Sequence, residues 1–249
     1  MTAPPTDERP TALVTGASAG IGRAFARRLA QGGYRVIAVA RDAERLHTLT
    51  AGLGPGHGHL AVDLSTDQGL RRTADLIADT RVHLLVNNAA SAAAGTFTTT
   101  PLHRAEHMLR LNCHALTVLS HAFLCQARYG DALLNVSSTL GYAPKPDLAV
   151  YSATKAFTTT LTEALWSAHR TSGIRVLAVC PGMTATASQP HRDAPAVLVQ
   201  TPDQVVTAAL RALHRSTRPT TVPGVANRLF TLASRLLPRR QTLTALAGG

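Results

Sequence analysis

The sequence predicts an α/β protein with a doubly wound, seven-stranded and mostly parallel sheet that has helices on both faces. Seven short runs rich in Val, Leu and Ala alternate with stretches of helical periodicity, and strands without polar alternation are those buried on both faces. Repeated strand–helix alternation gives right-handed crossovers and a parallel sheet. The strands are expected at Thr11–Thr15, Arg35–Ala40, His59–Val62, Val82–Asn87, Ala132–Ser137, Arg175–Cys180 and Pro219–Val222. The helices are expected at Gly20–Gln31, Ala43–Ala51, Thr66–Asp79, Pro101–Arg128, Ala149–Ser172 and Pro202–His214.

The length and composition are those of one globular domain spanning residues 1–249. The chain is 45% hydrophobic, which suffices for a single large core, and no linker interrupts it. Residues 1–9 are polar and Pro-rich, and are expected to form a flexible leader rather than a signal peptide. No apolar run approaches the roughly 20 residues that cross a bilayer. We therefore expect a cytoplasmic protein without membrane association.

The formal charge of +11 comes almost entirely from arginine, since Lys145 and Lys155 are the only lysines. The arginines are dispersed, and no zinc-finger or RNA-binding signature accompanies them. We interpret the charge as favouring solubility and the attraction of anions, and we expect no nucleic-acid partner. The cysteines Cys113, Cys125 and Cys180 are odd in number and widely spaced, which predicts buried, reduced thiols rather than disulfides.

Two helix boundaries have clear chemical signals. Gly32 and Gly33 end the first helix, because glycine accepts the left-handed geometry found at a helix C-terminus. Thr201, Pro202 and Gln204 begin a later helix. Thr201 and Gln204 form a capping box, and proline suits the first helical turn.

The first predicted strand runs directly into the turn Thr15–Gly22, and a helix follows. Its spacing is T-G-x-x-x-G-x-G rather than the commoner G-x-G-x-x-G. Glycines let the backbone approach a diphosphate, and the helix N-terminus offers free N–H groups and a partial positive charge. Ser18 adds a hydroxyl donor. The turn predicts a dinucleotide site, and an ordinary strand–helix turn is the alternative.

The end of the second strand indicates which dinucleotide is bound. A ribose-binding carboxylate often stands there in NAD-binding folds, whereas this chain has Ala40 followed by Arg41. A guanidinium matches a 2′-phosphate that a carboxylate would repel, so we predict NADP(H) rather than NAD(H). Asp42 is expected to be the N-cap of the next helix. The alternative is that Arg41 is only a solvated surface residue.

Tyr151 and Lys155 are four residues apart in a strongly helical segment, so they share one helix face. An ammonium beside a phenol lowers the phenol pKa, which would let Tyr151 exchange a proton with a substrate oxygen. Ser138 follows a strand at the sheet edge where ligands bind, and its hydroxyl can stabilise charge on that oxygen. The alternatives are a surface tyrosine with a solvated lysine, and a serine that caps a helix or lies in a loop.

With these motifs the chain resembles the short-chain dehydrogenase/reductase family, which has a Rossmann-like fold, over about residues 11 to 225. The matches occur in the family's order. They are Thr15–Gly22, Asp63-Leu64 after the third strand, Asn87-Asn88-Ala89-Ala90 after the fourth, Ser138 with Tyr151–Lys155, and Pro181-Gly182 ahead of Thr184 and Thr186. The resemblance implies an oxidoreductase that moves hydride between NADP(H) and a carbonyl or secondary alcohol.

The resemblance also implies a role for each site residue. Tyr151 is the general acid/base, Ser138 polarises the substrate carbonyl, and Lys155 holds the nicotinamide ribose and lowers the Tyr151 pKa. Asn112 positions a helix backbone and a water that links Lys155 to solvent. The expected catalytic residues are Asn112, Ser138, Tyr151 and Lys155. The expected cofactor-binding residues are Gly16, Ser18, Ala19, Gly20, Ile21, Gly22, Arg41, Asp63, Leu64, Asn88, Ala89, Tyr151, Lys155, Pro181, Gly182, Thr184 and Thr186.

One residue departs from the family's pattern. Ala90 stands where the family has glycine, and we expect its methyl group to be tolerated, with reduced cofactor affinity as the alternative. The match of His103, Glu106 and His107 to H-x-x-E-H has no third ligand. We interpret these residues as solvated and expect no metal site.

Two further segments concern the substrate. Residues 183–200 are expected to form a lid whose few polar side chains favour an apolar pocket. Residues 224–249 are expected to form a helical tail that packs over the pocket with a basic outer face, meets an acidic carrier protein that delivers the substrate, or lies on an anionic membrane. The resemblance implies a homodimer or homotetramer. The alternative function is a non-redox protein that binds NADP(H) as a sensor or scaffold.

Overall fold

The computed structural model describes residues 9–186, 197, 199–215 and 217–247, with side chains as far as residue 244. The strands are β1 Thr11–Thr15, β2 Arg35–Ala40, β3 Gly58–Ala61, β4 Leu84–Asn87, β5 Ala132–Val136, β6 Arg175–Val179 and β7 Thr220–Thr221. They form one sheet in the order β3-β2-β1-β4-β5-β6-β7, in which every neighbouring pair is parallel. The predicted α/β fold is confirmed, and the described sheet is wholly parallel. The predicted leader lies outside the described residues except for Arg9.

Five strands differ at their ends from the sequence prediction. β3 is displaced by one residue, β7 shrinks to Thr220–Thr221, and β4 begins at Leu84 rather than Val82. β5 and β6 each end one residue early, at Val136 and Val179. At the start of β4, the imidazole Nδ1 of His83 accepts the Thr11 N–H at 3.0 Å, so a side chain takes the place of a backbone partner. The differences are confined to strand ends, and each of the seven predicted strands is present.

Helices cover the sheet. They are α1 Gly20–Gln31, α2 Ala43–Leu53, α3 Asp67–Asp79, α4 Leu102–Leu109, α5 Leu116–Gln126, α6 Ala149–Ala168, α7 Pro202–Arg215, α8 Val225–Leu236 and α9 Arg239–Ala247. α1 ends where Gly33 adopts a φ of +85°. The predicted capping box begins α7: the Thr201 N–H donates to Gln204 Oε1 at 2.9 Å, and the Gln204 N–H donates to Thr201 Oγ1 at 3.2 Å. α6 ends at Ala168, short of the predicted Ser172, because the chain turns towards Gly173, which has a φ of +73°.

The predicted helix Pro101–Arg128 contains an irregular turn that the sequence did not reveal. Arg110–Ala115, between α4 and α5, forms a π-helical turn, and Asn112 is buried in it. Leu109 and Leu116 on either side keep α-helical dihedral angles, so the helix continues through the turn. A π-turn inserts residues without ending a helix, and such insertions are frequent at functional sites.

Each face of the sheet has its own apolar core. Phe25 of α1 and Val206 of α7 are fully buried in one cluster, and Ile77 of α3 and Phe123 of α5 in the other. Consecutive residues of β1 alternate between the two clusters, as the geometry of a strand requires. Burial on both faces explains why these strands lack polar alternation in sequence.

The three cysteines are free, but they are not uniformly buried. Cys180 is buried, Cys113 is half-buried and Cys125 is exposed. The prediction of three buried thiols was therefore wrong for Cys125. It lies on α5 beside His121, on a face turned away from the core.

The C-terminal tail forms α8 and α9, and α8 has an unexpected orientation. Its buried face is polar, and its exposed face carries Arg228 and Arg235, as the expected basic outer face requires, together with apolar residues that were not expected there. The buried residues are Asn227, Thr231 and Ser234, and the exposed apolar residues are Val225, Leu229, Leu232 and Leu236. No helix in the described part of the chain has the length and apolar content needed to cross a membrane.

Candidate active site

A cavity of about 560 Å³ opens at the carboxyl edge of the central strands. Asn88 after β4, Ser138 after β5 and Pro181 after β6 all line it. The sheet order reverses between β1 and β4. Ligands of open α/β sheets bind in the crevice that such a reversal creates, and a cavity of this size accommodates a small molecule.

The turn after β1 brings three glycines to positions where side chains have no room. Gly16 and Gly20 have φ values of +66° and +53°. A Cβ atom on Gly22 would lie 2.2 Å from the Gly16 carbonyl oxygen, and one on Gly16 would lie 2.7 Å from Asn88 Nδ2. Ala19, the N-cap of α1, makes no side-chain cap to the N–H groups of the first turn. This cradle fits a diphosphate, which helix N-termini bind through backbone N–H groups.

Thr15 and Asn88 join the glycine turn to the end of β4. Thr15 Oγ1 accepts the N–H groups of Asn88 and Ala89 at 2.9 and 3.0 Å and donates to the Val86 carbonyl at 3.3 Å. Asn88 Nδ2 donates to the Thr15 carbonyl at 2.9 Å. Ala90 is exposed on the cavity wall and takes no part in these bonds, so its methyl group leaves this connection intact.

Arg41 directly follows β2 and is exposed, with Nη1 3.9 Å from Asp63 Oδ2. Burial by itself would raise the pKa of Asp63, but hydrogen bonds from the side chain and backbone of Ser65, together with the Arg41 charge, outweigh it and lower the pKa. Asp63 is therefore an anion at neutral pH. Asp42 accepts the Arg45 N–H at 2.9 Å and is the N-cap of α2, as predicted.

Ser138 and Tyr151 meet on the cavity wall. Ser138 is buried just beyond β5, and Tyr151 lies in the first turn of α6. The Ser138 hydroxyl lies beside the Tyr151 phenol, near enough to lower its pKa, and donates to the Pro181 carbonyl at 3.5 Å. Ser138 Oγ also accepts the Leu140 N–H at 3.2 Å, so the serine caps a short 3₁₀ turn as well. The capping and active-site interpretations are therefore compatible.

Lys155 lies one turn further along α6 and is only 4% exposed. Its Nζ is 5.6 Å from the centroid of the Tyr151 ring and donates to the Val136 carbonyl at 2.8 Å. Burial lowers the pKa of Lys155 from 10.5 to about 8, and the nearby thiols of Cys180 and Cys113 oppose that change. Lys155 is therefore buried, and the alternative interpretation of a solvated lysine was wrong.

The pKa of Tyr151 changes in the direction opposite to the one expected. Burial raises it above its ordinary value, and the neighbouring Ser138 hydroxyl offsets only part of this effect. The Lys155 ammonium is held by a backbone carbonyl, so the predicted lowering of the phenol pKa was wrong for the arrangement of the protein's own groups. Tyr151 is consequently protonated at neutral pH and suited to donate a proton.

Asn112 makes three hydrogen bonds from the π-helical turn. Its Oδ1 accepts the Ser91 N–H at 2.9 Å, and its Nδ2 donates to the Ser91 carbonyl at 2.9 Å and to Thr154 Oγ1 at 3.0 Å. Thr154 in turn donates to the Tyr151 carbonyl at 2.8 Å. Asn112 thus connects the loop after β4 to the turn of α6 that carries Tyr151, which is a positioning contact.

A family model described as short chain dehydrogenase matches residues 10–195. The matched region includes the glycine turn, Ser138, Tyr151 and Lys155. This chain belongs to the short-chain dehydrogenase family. The resemblance inferred from the motifs is confirmed.

Curated relatives of this short-chain dehydrogenase differ in how completely they match it. Sulfoacetaldehyde reductase 2 of Chromohalobacter salexigens is 33% identical over 94% of this chain and 96% of its own length. A very-long-chain 3-oxoacyl-CoA reductase of Phaeosphaeria nodorum is 33% identical over 82% of this chain, but the chain spans only 63% of that relative.

Solved structures match nearly the whole chain. A short-chain dehydrogenase from Sphingobium yanoikuyae in complex with NADPH is 33% identical, with a TM-score of 0.79 and coverage of 95% of each chain. The bulky-bulky ketone specific alcohol dehydrogenase from Comamonas testosteroni is 30% identical, with a TM-score of 0.78 over 95% of this chain and 94% of that chain.

The cofactor residues predicted for this short-chain dehydrogenase fall into two groups along the same sheet edge. Those lining the cavity are Ile21, Asn88, Tyr151, Lys155, Pro181, Gly182, Thr184 and Thr186. Those outside its lining are Gly16, Ser18, Ala19, Gly20, Gly22, Arg41, Asp63, Leu64 and Ala89. Leu64 is 5% exposed, so its side chain belongs to the core and only its backbone is available to a ligand.

The cavity also contains side chains that the sequence analysis did not assign to the site. Lys145 and Leu148 come from the segment before α6, and Asn227 and Phe230 come from α8. These residues belong to no motif, and they meet because two segments distant in sequence fold over the same sheet edge. For Lys145, the sequence offered one signal of a functional role: it is one of only two lysines in the chain.

The described ends of the predicted lid, residues 183–200, lie side by side. The Ala185 N–H donates to the Gln200 carbonyl and the Gln200 N–H donates to the Met183 carbonyl, both at 2.9 Å. Residues 187–196 and 198 of the lid lie outside the described residues. Among the residues that are described, no group of three His, Cys, Asp or Glu side chains is placed to hold a metal ion.

Proposed function

We propose that this short-chain dehydrogenase is an NADP(H)-dependent oxidoreductase that interconverts a largely apolar ketone or aldehyde and its alcohol, chiefly by reduction. The observation that carries the proposal is the meeting of Ser138, Tyr151 and Lys155 on one cavity wall beside the glycine turn. The nicotinamide of the bound cofactor supplies or accepts the hydride. In the direction of reduction, Tyr151, with its raised pKa, holds the proton that a developing alkoxide requires.

The chain's own residues account for cofactor binding. The glycine cradle and the N-terminus of α1 would hold the diphosphate through backbone N–H groups. Arg41, with Ala40 in place of a carboxylate, would pair with the 2′-phosphate, and Lys155 would hold the nicotinamide ribose. The similarity to a structure in complex with NADPH supports the same choice of cofactor.

Each catalytic side chain has one task. Ser138 donates a hydrogen bond to the substrate carbonyl oxygen and stabilises the charge that develops there. Tyr151 transfers its phenolic proton to that oxygen, and the neighbouring Ser138 hydroxyl offsets part of the pKa increase that burial causes. Asn112 touches none of the reacting atoms and acts through Thr154, whose hydroxyl holds the backbone of Tyr151.

The apolar cavity wall supports an apolar substrate. Leu140, Leu148, Met183 and Phe230 line the cavity beyond Ser138 and Tyr151. The similar Comamonas testosteroni enzyme is named for bulky ketones. The relatives named for sulfoacetaldehyde and for 3-oxoacyl-CoA show that this family scaffold serves dissimilar carbonyl compounds. Delivery of the substrate on a carrier protein remains a prediction.

The assembly is proposed to be a homodimer or homotetramer in the cytoplasm. Leu102 and Leu109 of α4 and Phe157 of α6 are 72%, 49% and 41% exposed, which leaves apolar area on the helices expected at the subunit interface. Light scattering of the pure protein is expected to give a multiple of the 26.2 kDa chain mass. A monomer at micromolar concentration would contradict the proposal.

The test of the enzymatic function pairs a binding assay with a turnover assay. Wild-type protein is expected to consume NADPH, followed by absorbance, with at least one member of a panel of apolar ketones and aldehydes. Tyr151→Phe is expected to bind NADPH normally and to lose about 10²- to 10⁴-fold in kcat, the usual contribution of a general acid. Tyr142→Phe is the matched control, because Tyr142 is a nearby tyrosine outside the cavity lining.

The same assays address the non-redox alternative. A sensor or scaffold would bind NADPH equally well in both forms and would turn over no carbonyl compound. Burial of Lys155 against Val136 and the position of Ser138 and Tyr151 in the lining of the same cavity favour the enzyme, because a binding module does not require this arrangement.

A further inference from the structure

Lys145 is an unusual residue in this chain. The protein contains 25 basic residues counted as Lys and Arg, of which only Lys145 and Lys155 are lysines, and both line the same cavity. Lys155 is buried and its ammonium is bound to the Val136 carbonyl. Lys145 is half-buried and belongs to the segment between Ser138 and Tyr151. The proposed catalytic roles make no use of it.

The backbone around Lys145 is restrained. Pro144 and Pro146 flank it, and a residue before proline is confined to extended conformations, in agreement with its φ of −95° and ψ of 141°. The Lys145 N–H donates to Ser152 Oγ at 3.4 Å, and its carbonyl accepts the Leu148 N–H at 3.1 Å. The root of the side chain is therefore positioned by α6 and by a short 3₁₀ turn, which limits the volume that the ammonium samples.

The cavity that Lys145 lines contains apolar side chains and hydroxyl and amide groups, but no described carboxylate. Ala92, Leu140, Leu148, Met183 and Phe230 are among the apolar residues of its lining. No Asp or Glu among the described residues lines the cavity, and no described carboxylate lies within salt-bridge distance of Lys145. Asp147, two residues along, is exposed and outside the lining.

We infer that Lys145 forms an anion subsite that selects carbonyl substrates bearing a carboxylate at the far end of an apolar chain. The inference rests on the proposed function, because it names the substrate class of the same cavity. The carbonyl lies at Ser138 and Tyr151, the apolar chain packs on Leu148 and Phe230, and the carboxylate pairs with the ammonium. A charged pair in a partly desolvated cavity is stronger than one in bulk water.

The test compares each acid with its uncharged primary amide. Suitable pairs are 4-oxopentanoate, 6-oxoheptanoate and 8-oxononanoate with the corresponding amides, so that the chain length that reaches Lys145 is found by experiment. At least one acid is expected to exceed its amide in kcat/KM, mainly through KM. Lys145→Met should lower that acid-to-amide ratio by about three- to tenfold, within the range measured for partly exposed ion pairs and charged hydrogen bonds. Lys145→Arg should keep most of the preference.

Two controls complete the experiment. Arg72→Met removes one exposed positive charge outside the cavity lining and should leave the ratio unchanged. Raising the ionic strength should lower the ratio in the wild type and have little effect in Lys145→Met, because salt screens only a charge that is present. Equal acid-to-amide ratios in wild type and Lys145→Met at every chain length would overturn the inference.

Binding without turnover separates this inference from the proposed function. Calorimetry with the protein saturated in NADP⁺ should show that heptanoate binds more tightly than heptanamide, and that Lys145→Met removes the difference. If no carbonyl compound is reduced but this difference is found, the enzymatic proposal fails and the anion subsite stands. If heptanoate and heptanamide bind alike to the wild type, the subsite is wrong whatever the turnover.

Discussion

The two walls of the cavity are built by different means. The wall proposed for the cofactor consists of backbone packed against backbone: a Cβ on Gly22 would lie 2.2 Å from the Gly16 oxygen, and Thr15 holds the start of the loop after β4. The wall proposed for the substrate consists of side chains such as Lys145 and Phe230, which come from a Pro-rich segment and from α8. The first wall has no space for larger side chains, whereas residues of the second wall can be substituted without disturbing the backbone.

The two walls therefore suit two kinds of ligand: a cofactor whose diphosphate is always the same, and substrates whose structures differ. A cradle of glycines and N–H groups binds a diphosphate whatever else the molecule carries. Side chains on loops and a terminal helix set the shape and charge of the remaining space without disturbing the sheet. Substitutions on the first wall should therefore abolish cofactor binding, and substitutions on the second should redistribute substrate preference.

The largest effect is expected for Gly22→Ala. The added methyl group would overlap the Gly16 carbonyl, and forcing atoms into filled space costs about 1–3 kcal/mol or more. NADPH affinity should therefore fall by about 5- to 150-fold or more. Fluorescence titration with NADPH measures this change. Gly52→Ala is the matched control, because a Cβ at Gly52 on α2 meets no atom within 4 Å. Wild-type affinity in Gly22→Ala would show that the cradle does not hold the diphosphate.

The next effect concerns the charge buried at the junction of the two walls. Burial of Lys155 lowers its pKa, so the ammonium should lose its proton near pH 8 rather than near 10.5. Because the chain has only two lysines, protein labelled with ¹³C at lysine Cε should give two resonances, and Lys145→Met leaves only that of Lys155. An NMR titration of that resonance should have its midpoint near pH 8. A midpoint above pH 10 would mean that Lys155 is solvated and does not have the environment described here.

The cofactor wall was largely predictable from sequence because its chemistry is local. The glycine spacing, the change from strand to helix and the identity of Arg41 all lie within a short stretch of chain, so residues Thr15–Gly22 predicted the cradle directly. The same holds for Tyr151 and Lys155, which share one helix face. The environment of these two residues could not be predicted, because it is formed by residues distant in sequence. Burial raises the Tyr151 pKa, and the Lys155 ammonium donates to the Val136 carbonyl.

The sequence predicted that a helical tail could pack over the pocket, but not which side chains would line it, because these depend on contacts between distant segments. Phe230 reaches the cavity because α8 packs beside Gly182 after β6 and Tyr142 before α6. The polar inner face of α8 also contradicts the usual apolar pattern. The π-helical turn at Asn112 could not be predicted from the sequence for a related reason. A π-turn needs tertiary partners, here Ser91 and Thr154, and leaves hydrophobic periodicity nearly unchanged.

A smaller effect is expected for Arg41→Asp at the far end of the cofactor wall. Loss of a charge-assisted bond to the 2′-phosphate, worth about 1.5–3 kcal/mol, should weaken NADPH by about 10- to 100-fold. NADH, which lacks that phosphate, should be nearly unaffected in a parallel titration. Arg45→Asp is the matched control, since Arg45 is an exposed arginine that pairs with Asp42 instead. An equal loss of affinity for NADPH and NADH would indicate that Arg41 contributes only to the overall electrostatic potential and does not contact the 2′-phosphate.

The smallest effect should come from the substrate wall itself. Phe230→Ala removes a partly buried ring from the cavity and should raise KM for a bulky apolar ketone by about three- to tenfold, a fraction of the roughly 1.5–3 kcal/mol for burying a whole side chain. NADPH affinity should not change, because the ring lies outside the glycine cradle. Leu229→Ala tests the neighbouring position, which is 61% exposed and outside the cavity lining, and it should leave KM unaltered. If Phe230→Ala instead weakened NADPH and left KM for the ketone unchanged, the division of the cavity into two walls would be wrong, because a side chain from α8 would then serve the cofactor.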